Sequence, residues 1–162
     1  MSLLSHHKPR SSYEAMASHL RHSFDIGNLE VGQMVASAGR RVVLIEDDPT
    51  FRNALANELC ARGGTDIVFQ TGDEAHAREW LAVNDQWDVC LLDIFLQRGT
   101  GIALLSLLRK RRPDQTIYIL SNYLSPMSKK VAAQLGAARV FDKVTEVEQV
   151  IDACLGQPVP ID

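Results

Sequence analysis

Five polar side chains in this sequence follow short apolar runs, at the points where predicted strands end. They are Glu46, Asp47, Asp93, Ser121 and Lys143. Three carboxylates packed together would raise one another's pKa by repulsion, and a hard divalent cation such as Mg²⁺ relieves that conflict through oxygen ligands. With the cation bound, one carboxylate can act as a nucleophile toward a phosphoryl group. The hydroxyl and the lysine can then hold the phosphoryl oxygens.

These side chains can meet only if the strands lie side by side. Short apolar runs typical of buried parallel strands alternate with helical stretches. The runs are 42–45, 67–69, 89–92, 117–120 and 140–141. Right-handed crossovers place the helices on both faces of one sheet, so we predict a doubly wound, five-stranded parallel α/β domain. In such sheets the working site lies beyond the carboxyl ends of the strands, near the point where strand order reverses.

Cap residues predict where the helices begin and end. Asp48 and Pro49 supply an N-cap and an N1 proline for a first helix that stops at Gly63-Gly64. We interpret Asp48 as this cap, with a share in metal binding as the alternative. The other four helix starts are predicted at capping boxes 71–74 and 145–148, after 99–101, and at 125–126.

The segments resemble, in order, the receiver domains of two-component response regulators. "VVLIEDDP" is similar to the family's first strand with its acidic pair, and "DVCLLDIFLQRGTGIALLSLLR" to its phosphoacceptor segment. "IYILSN" resembles the strand that carries the hydroxyl, and "LGAARVFDK" the strand that ends in the lysine. The resemblance implies a CheY-like, flavodoxin-like (βα)5 fold with strand order 2-1-3-4-5.

The same resemblance implies a role for each site residue. Asp93 would receive the phosphoryl group, and Ser121 and Lys143 would hold its oxygens. The implied Mg²⁺ ligands are Glu46 through water, Asp47, Asp93 and the backbone carbonyl of Phe95. Such a domain catalyses its own phosphorylation and dephosphorylation and is not an enzyme acting on a separate substrate.

Three positions depart from the family pattern. Asn122 stands directly after the hydroxyl residue, where a small residue is usual, and Val144 follows the lysine, where proline is common. Val140 occupies the position of the usual switch aromatic. Phe141 is displaced by one residue and is therefore predicted to point to the opposite face of the sheet. Tyr123 is a candidate substitute.

The resemblance also implies partners: a sensor histidine kinase or histidine phosphotransfer protein, and an effector bound at the face formed by helix 4, strand 5 and helix 5. Residues 157–162, after the fifth predicted helix, are too few for an output domain. We therefore expect a single-domain protein that signals through another molecule or through its N-terminal segment. Homodimerisation is an open alternative.

Charge and hydropathy argue against other partners. The net charge of −3 gives no overall attraction to nucleic acid. The basic run 109–112 is predicted to lie at a helix C-terminus, where positive charge complements the helix dipole. No apolar run approaches the roughly 18 residues of a membrane span, and no signal peptide is evident, so we expect a cytoplasmic protein. The widely spaced Cys60, Cys90 and Cys154 are predicted to be buried thiols.

The predicted domain covers residues 40–156, with a tail at 157–162. Residues 1–39 differ in composition and contain a predicted helical stretch at 12–24. We interpret this segment as a leader, with a docking or dimerising arm as the alternative.

Two other functions are alternatives to a phosphorylated receiver. A phosphatase of the haloacid dehalogenase type requires a second aspartate two residues after its nucleophile, and position 95 is Phe. A receiver that is never phosphorylated and serves as a protein-interaction module stays open as the alternative.

Overall fold

The computed structural model of the protein describes residues 39–159. Over this range five strands alternate with five helices. The strands are β1 (Arg40–Ile45), β2 (Thr65–Thr71), β3 (Val89–Asp93), β4 (Thr116–Ser121) and β5 (Arg139–Asp142). The helices are α1 (Pro49–Arg62), α2 (Glu74–Val83), α3 (Gly101–Leu108), α4 (Pro126–Gln134) and α5 (Val147–Leu155). The helical stretch predicted at 12–24 lies outside the described residues.

The strands form one parallel sheet in the order β2-β1-β3-β4-β5, which confirms the predicted topology. Chain order reverses where β1 lies between β2 and β3, and Ile45, the last residue of β1, pairs with Leu92, the residue before the end of β3. Asp93 pairs with Leu120 at the end of β3. The carboxyl ends of the central strands therefore meet at one edge of the sheet.

Alternating side chains divide the core into two layers. Val42 and Leu44 pack on the side covered by α1 and α5, whereas Val43 and Ile45 pack on the side covered by α2, α3 and α4. All four are fully buried. Helices on both faces explain why the central strands are apolar at every position rather than at alternate ones.

The start of α1 agrees with the prediction. The Asp48 carboxylate accepts hydrogen bonds from the N–H groups of Thr50 at 2.9 Å and Phe51 at 3.2 Å. Pro49 is the first helical residue, and Gly63 follows the helix with φ of 71°. Asp48 is therefore the N-cap of α1.

Both predicted TxxE capping boxes are wrong. The N-cap of α2 is Asp73, which accepts from the His76 N–H at 3.0 Å, while Thr71 is the last residue of β2. α5 begins after Glu146, which makes no side-chain capping bond. The Glu146 carboxylate instead accepts from the Asp142 N–H and from Arg139. Thr71 is used in strand pairing with Ile45, and the residue that precedes α5 is Glu146 rather than Thr145.

An arginine of the basic run 109–112 binds a carbonyl group at the C-terminus of α3, as predicted. The Arg111 guanidinium donates to the Leu108 carbonyl at 3.2 Å and to the Gly136 carbonyl at 2.6 Å. Arg112 donates to the Asp85 carbonyl and pairs with Asp114. These arginines join the amino edge of the sheet to neighbouring loops.

The cysteines divide into two kinds. Cys90 and Cys154 are buried as predicted, and burial raises the pKa of each thiol to about 12. Cys60 lies exposed on α1, so the prediction is wrong for that residue. Among residues 39–159, the helices are all too short or too polar to cross a bilayer.

Candidate functional site

Three carboxylates converge where β1 and β3 end. Glu46, Asp47 and Asp93 each offer an oxygen, and these oxygens lie within 4.8 Å of one another. The three residues are 0%, 8% and 1% exposed. Ionised carboxylates that lie this close together and are this well shielded from solvent require compensating positive charge. An all-oxygen donor set of this kind fits a hard divalent cation such as Mg²⁺.

Lys143 supplies one positive charge to this cluster. It follows β5, and its Nζ lies 2.7 Å from Asp93 Oδ2 and 2.5 Å from Glu46 Oε2. The Lys143 side chain is only 3% exposed. Its Nζ also lies 5.3 Å from the centre of the Phe51 ring, which closes the site on the α1 side. The lysine thus bridges two of the three carboxylates.

Burial favours the neutral form of Glu46. Desolvation raises the pKa of Glu46 to about 7, and repulsion from Asp93 acts in the same direction, although Lys143 opposes both. Glu46 Oε1 accepts a hydrogen bond from the Asp48 N–H at 3.0 Å. A cation bound at the cluster would favour the ionised form of this carboxylate.

The backbone after Asp93 is tied to its carboxylate. The Phe95 N–H donates to Asp93 Oδ1 at 3.0 Å, so the two Asp93 oxygens face different partners. The Phe95 ring is 53% exposed and meets the Tyr123 ring edge-on at a centroid distance of 6.3 Å. The predicted carbonyl ligand thus lies in a segment held by the Asp93 carboxylate.

Ser121 ends β4 at the same edge and is fully buried. Its hydroxyl donates to the Tyr123 carbonyl at 3.0 Å and accepts from the Tyr123 N–H at 3.1 Å. The structure therefore places the hydroxyl residue beside the cluster, with the hydroxyl bonded to the loop that follows. Its predicted role with a phosphoryl group stays a prediction.

Two residues that the sequence analysis did not single out line the open side of the cluster. Arg52 lies in the first turn of α1, and its guanidinium donates to the Glu46 carbonyl at 2.5 Å. Gly72 packs so closely that an added Cβ would come within 2.9 Å of the Asp47 Cα. Both border a groove of about 400 Å³ beside Asp47. A glycine directly after a strand was the available signal, because glycine permits close backbone approach.

The side chains of Val140 and Phe141 point to opposite faces of the sheet, as predicted from the two-residue period of a strand. Val140 packs in the layer under α3 and α4, whereas Phe141 is fully buried in the layer under α1 and α5. Phe141 contacts the Tyr118 ring and the Arg139 guanidinium. The Lys143–Val144 peptide is trans. Tyr123, at 64% exposed, is an accessible aromatic residue beside the site, as is Phe95 at 53%.

Residues 42–154 match the response regulator receiver domain family. The chain belongs to this family, whose fold is the one described above. Domains of this family bind Mg²⁺ and work with histidine kinases and effectors.

The curated relatives are longer proteins. The photosynthetic apparatus regulatory protein RegA of Cereibacter sphaeroides is 28% identical over 125 residues, which cover 76% of this chain and 66% of RegA. The DNA-binding transcriptional regulator NtrC of Rhizobium meliloti is 27% identical over 123 residues, which cover 74% of this chain and 25% of NtrC. The chain thus spans less than two thirds of the length of these relatives.

Solved structures share the fold. A Burkholderia pseudomallei response regulator, determined with a phosphorylated aspartic acid, calcium ion and citrate, is 26% identical with a TM-score of 0.61. The match covers 71% of this chain and 66% of that one. The response regulator domain of Thermotoga maritima CheB is 22% identical with a TM-score of 0.60, over 73% of this chain and 92% of that domain.

Proposed function

We propose that Asp93 accepts a phosphoryl group from a histidine kinase or a histidine phosphotransfer protein, and that the resulting change of conformation carries the signal. The observation that supports this most directly is the ion pair of 2.7 Å between Asp93 and Lys143 inside a buried carboxylate cluster. A charged nucleophile beside a fixed cation is the arrangement that phosphoryl transfer requires.

The chemistry is a direct displacement. An Asp93 oxygen attacks the phosphorus of a phosphohistidine, the P–N bond breaks, and its electron pair leaves on the imidazole nitrogen. The product is an acyl phosphate, which water later hydrolyses to phosphate and the free carboxylate. Lys143 turns from the carboxylates to the phosphoryl oxygens, and Ser121 donates its hydroxyl hydrogen to one of them.

The ligands proposed for Mg²⁺ are Asp47, Asp93, the Phe95 carbonyl and, through water, Glu46. When bound, Mg²⁺ neutralises charge on the carboxylates and on the phosphoryl oxygens. The spacing and burial of the three carboxylates support this assignment. Asp48 is not in this set, because its carboxylate caps α1.

The proposed output surface is the face formed by α4, β5 and α5. Three large apolar side chains are exposed at its edge nearest the site: Tyr123, Met127 and Val144 are 64%, 68% and 37% exposed. Exposed apolar groups of this kind are common in protein-binding surfaces. We propose that residues 40–156 form the unit that is phosphorylated in the cytoplasm, flanked by 1–39 and 157–162, and that an effector binds this face.

Intact-mass spectrometry tests the proposal. Acetyl phosphate or phosphoramidate with Mg²⁺ should add one phosphoryl group to the wild-type protein and none to Asp93→Asn. Asp48→Asn is the matched control, since Asn also serves as an N-cap and the residue lies outside the proposed ligand set. Equal labelling of Asp93→Asn would place the site elsewhere. An unlabelled wild-type protein that still binds Mg²⁺ would favour the interaction module that is never phosphorylated.

A further inference from the structure

The first turn of α2 holds the loop that follows Asp93. Glu74 Oε2 accepts a hydrogen bond from the Thr100 N–H at 2.7 Å, and Glu74 Oε1 pairs with Arg78 at 2.6 Å. The Glu74 N–H also donates to the Arg98 carbonyl at 3.4 Å. One residue outside the carboxylate cluster therefore contacts the β3–α3 loop, residues 94–100, through both its backbone and its side chain.

Thr100 passes this restraint to Phe95. The two residues lie opposite each other in an antiparallel bridge, which the Gly101 N–H closes by donating to the Ile94 carbonyl at 2.9 Å. In this arrangement the paired residues do not exchange hydrogen bonds with each other. The Thr100 N–H is thus available to Glu74, and the Phe95 carbonyl is left outside the bridge. Thr100 also caps α3, so it is fixed on both sides.

Gly99 makes room for the contact. Its φ of +85° is costly for other residues, and a Cβ at this position would collide with the Glu74 carboxylate. Hydrogen bonding to Arg78, and then to the Thr100 N–H, lowers the pKa of Glu74. The carboxylate is therefore ionised at neutral pH and makes charge-assisted bonds, which are stronger than neutral ones.

We propose that Glu74 is a positioning residue for Mg²⁺: its carboxylate fixes Thr100 and, across the bridge, the backbone of Phe95, whose carbonyl is a ligand. This inference rests on the function proposed above. Residues that orient metal ligands typically change metal affinity by about 10–100-fold when mutated. Since Glu74 acts on one ligand through one intervening residue, we expect a smaller effect.

Mg²⁺ titration without any phosphodonor measures the effect. The amide resonances of Phe95 and Thr100, followed by NMR, should give a half-saturating Mg²⁺ concentration for Glu74→Ala about three to ten times that of wild type. Glu74→Gln keeps an acceptor for the Thr100 N–H and should shift it by about twofold or less. Gly99→Ala should raise it as Glu74→Ala does, because the new methyl group displaces the carboxylate.

The control separates positioning from loss of charge. Glu79→Ala removes a negative charge from an exposed position of the same helix and should leave the Mg²⁺ midpoint unchanged. In phosphoramidate labelling, Glu74→Ala should raise the Mg²⁺ concentration for half-maximal rate more than it lowers the rate at saturation.

A Glu74→Ala protein that melts at lower temperature but keeps the wild-type Mg²⁺ midpoint would overturn the inference and leave Glu74 a purely structural role. The same holds if Gly99→Ala keeps the wild-type Mg²⁺ midpoint. Failure of the wild-type protein to bind Mg²⁺ would instead count against the proposed function.

Discussion

The Ser121 hydroxyl and the Tyr123 backbone are joined by two hydrogen bonds, one in each direction, of 3.0 and 3.1 Å. The Tyr123 ring in turn meets the Phe95 ring, and the Phe95 N–H donates to the Asp93 carboxylate. A Ser121 hydroxyl drawn toward a phosphoryl oxygen must give up its bond to the Tyr123 carbonyl. The loop after β4 is thus linked to Asp93 through the contacts of Tyr123 and Phe95.

We predict that beryllofluoride, which mimics the phosphoryl group, changes hydrogen exchange between residues 121 and 152, with the largest change around Tyr123. A shift of this kind needs only a few kcal/mol of differential interaction between two existing states. Ser121→Ala should bind beryllofluoride but lose most of the change at Tyr123. Changes confined to α1 and α2 would exclude this output route.

Mg²⁺ should stabilise the protein without any phosphate, because it relieves repulsion in the carboxylate cluster. At a tenfold excess over its Kd, linkage gives about 1.4 kcal/mol of added stability. Asp47→Ala should lose most of this gain, whereas Asp48→Ala should melt lower but keep it. Thermal melts with and without Mg²⁺ measure both. An Asp47→Ala protein with the full wild-type gain would show that the cluster has been misassigned.

Stability at acidic pH should depend on Asp88. Hydrogen bonds from Arg41 lower the pKa of Asp88 below its ordinary 3.8, with Asp88 Oδ1 2.8 Å from Arg41 Nη2. A lowered pKa means that the folded state binds fewer protons than the unfolded state below pH 3.8. The stabilisation is therefore complete above pH 3.8 and is lost as pH falls through the folded pKa.

Asp88→Asn tests this dependence. The variant should be less stable by about 1–2 kcal/mol at pH 7, since it loses charge-assisted bonds at a partly exposed position. The difference should shrink below pH 3.8. Urea unfolding at pH 7 and at pH 3 measures it, and an equal difference at both values would contradict the assignment.

The sequence was sufficient for the sheet and for the membership of the carboxylate cluster. β1, β3 and β4 contain apolar runs that need helices on both sides, and Glu46, Asp93 and Ser121 follow these runs directly. The end of a strand is a position that parallel pairing defines, so Glu46, Asp47 and Asp93 must meet once the strands are in register. The opposite orientations of Val140 and Phe141 follow from the same two-residue period.

Helix caps and loop contacts were less predictable. The TxxE pattern at Thr71 and at Thr145 is a local signal. In the structure Thr71 is the last residue of β2, and Asp73 caps α2 instead. Glu146, not Thr145, precedes α5, and its carboxylate binds Arg139 rather than capping the helix. Nothing near Glu74 in the sequence indicates that it binds Thr100, because Glu74 begins α2 and Thr100 lies in the loop before α3.

The sequence by itself determined which side chains stand at the carboxyl edge, because the alternation of strand and helix allows few arrangements of the chain. Only the tertiary structure decided how they are paired: Lys143 with both Asp93 and Glu46, Ser121 with the Tyr123 backbone, and Glu74 with the loop after β3. Side-chain partners depend on distances of a few tenths of an ångström between segments far apart in sequence. Periodicity carries no information on that scale.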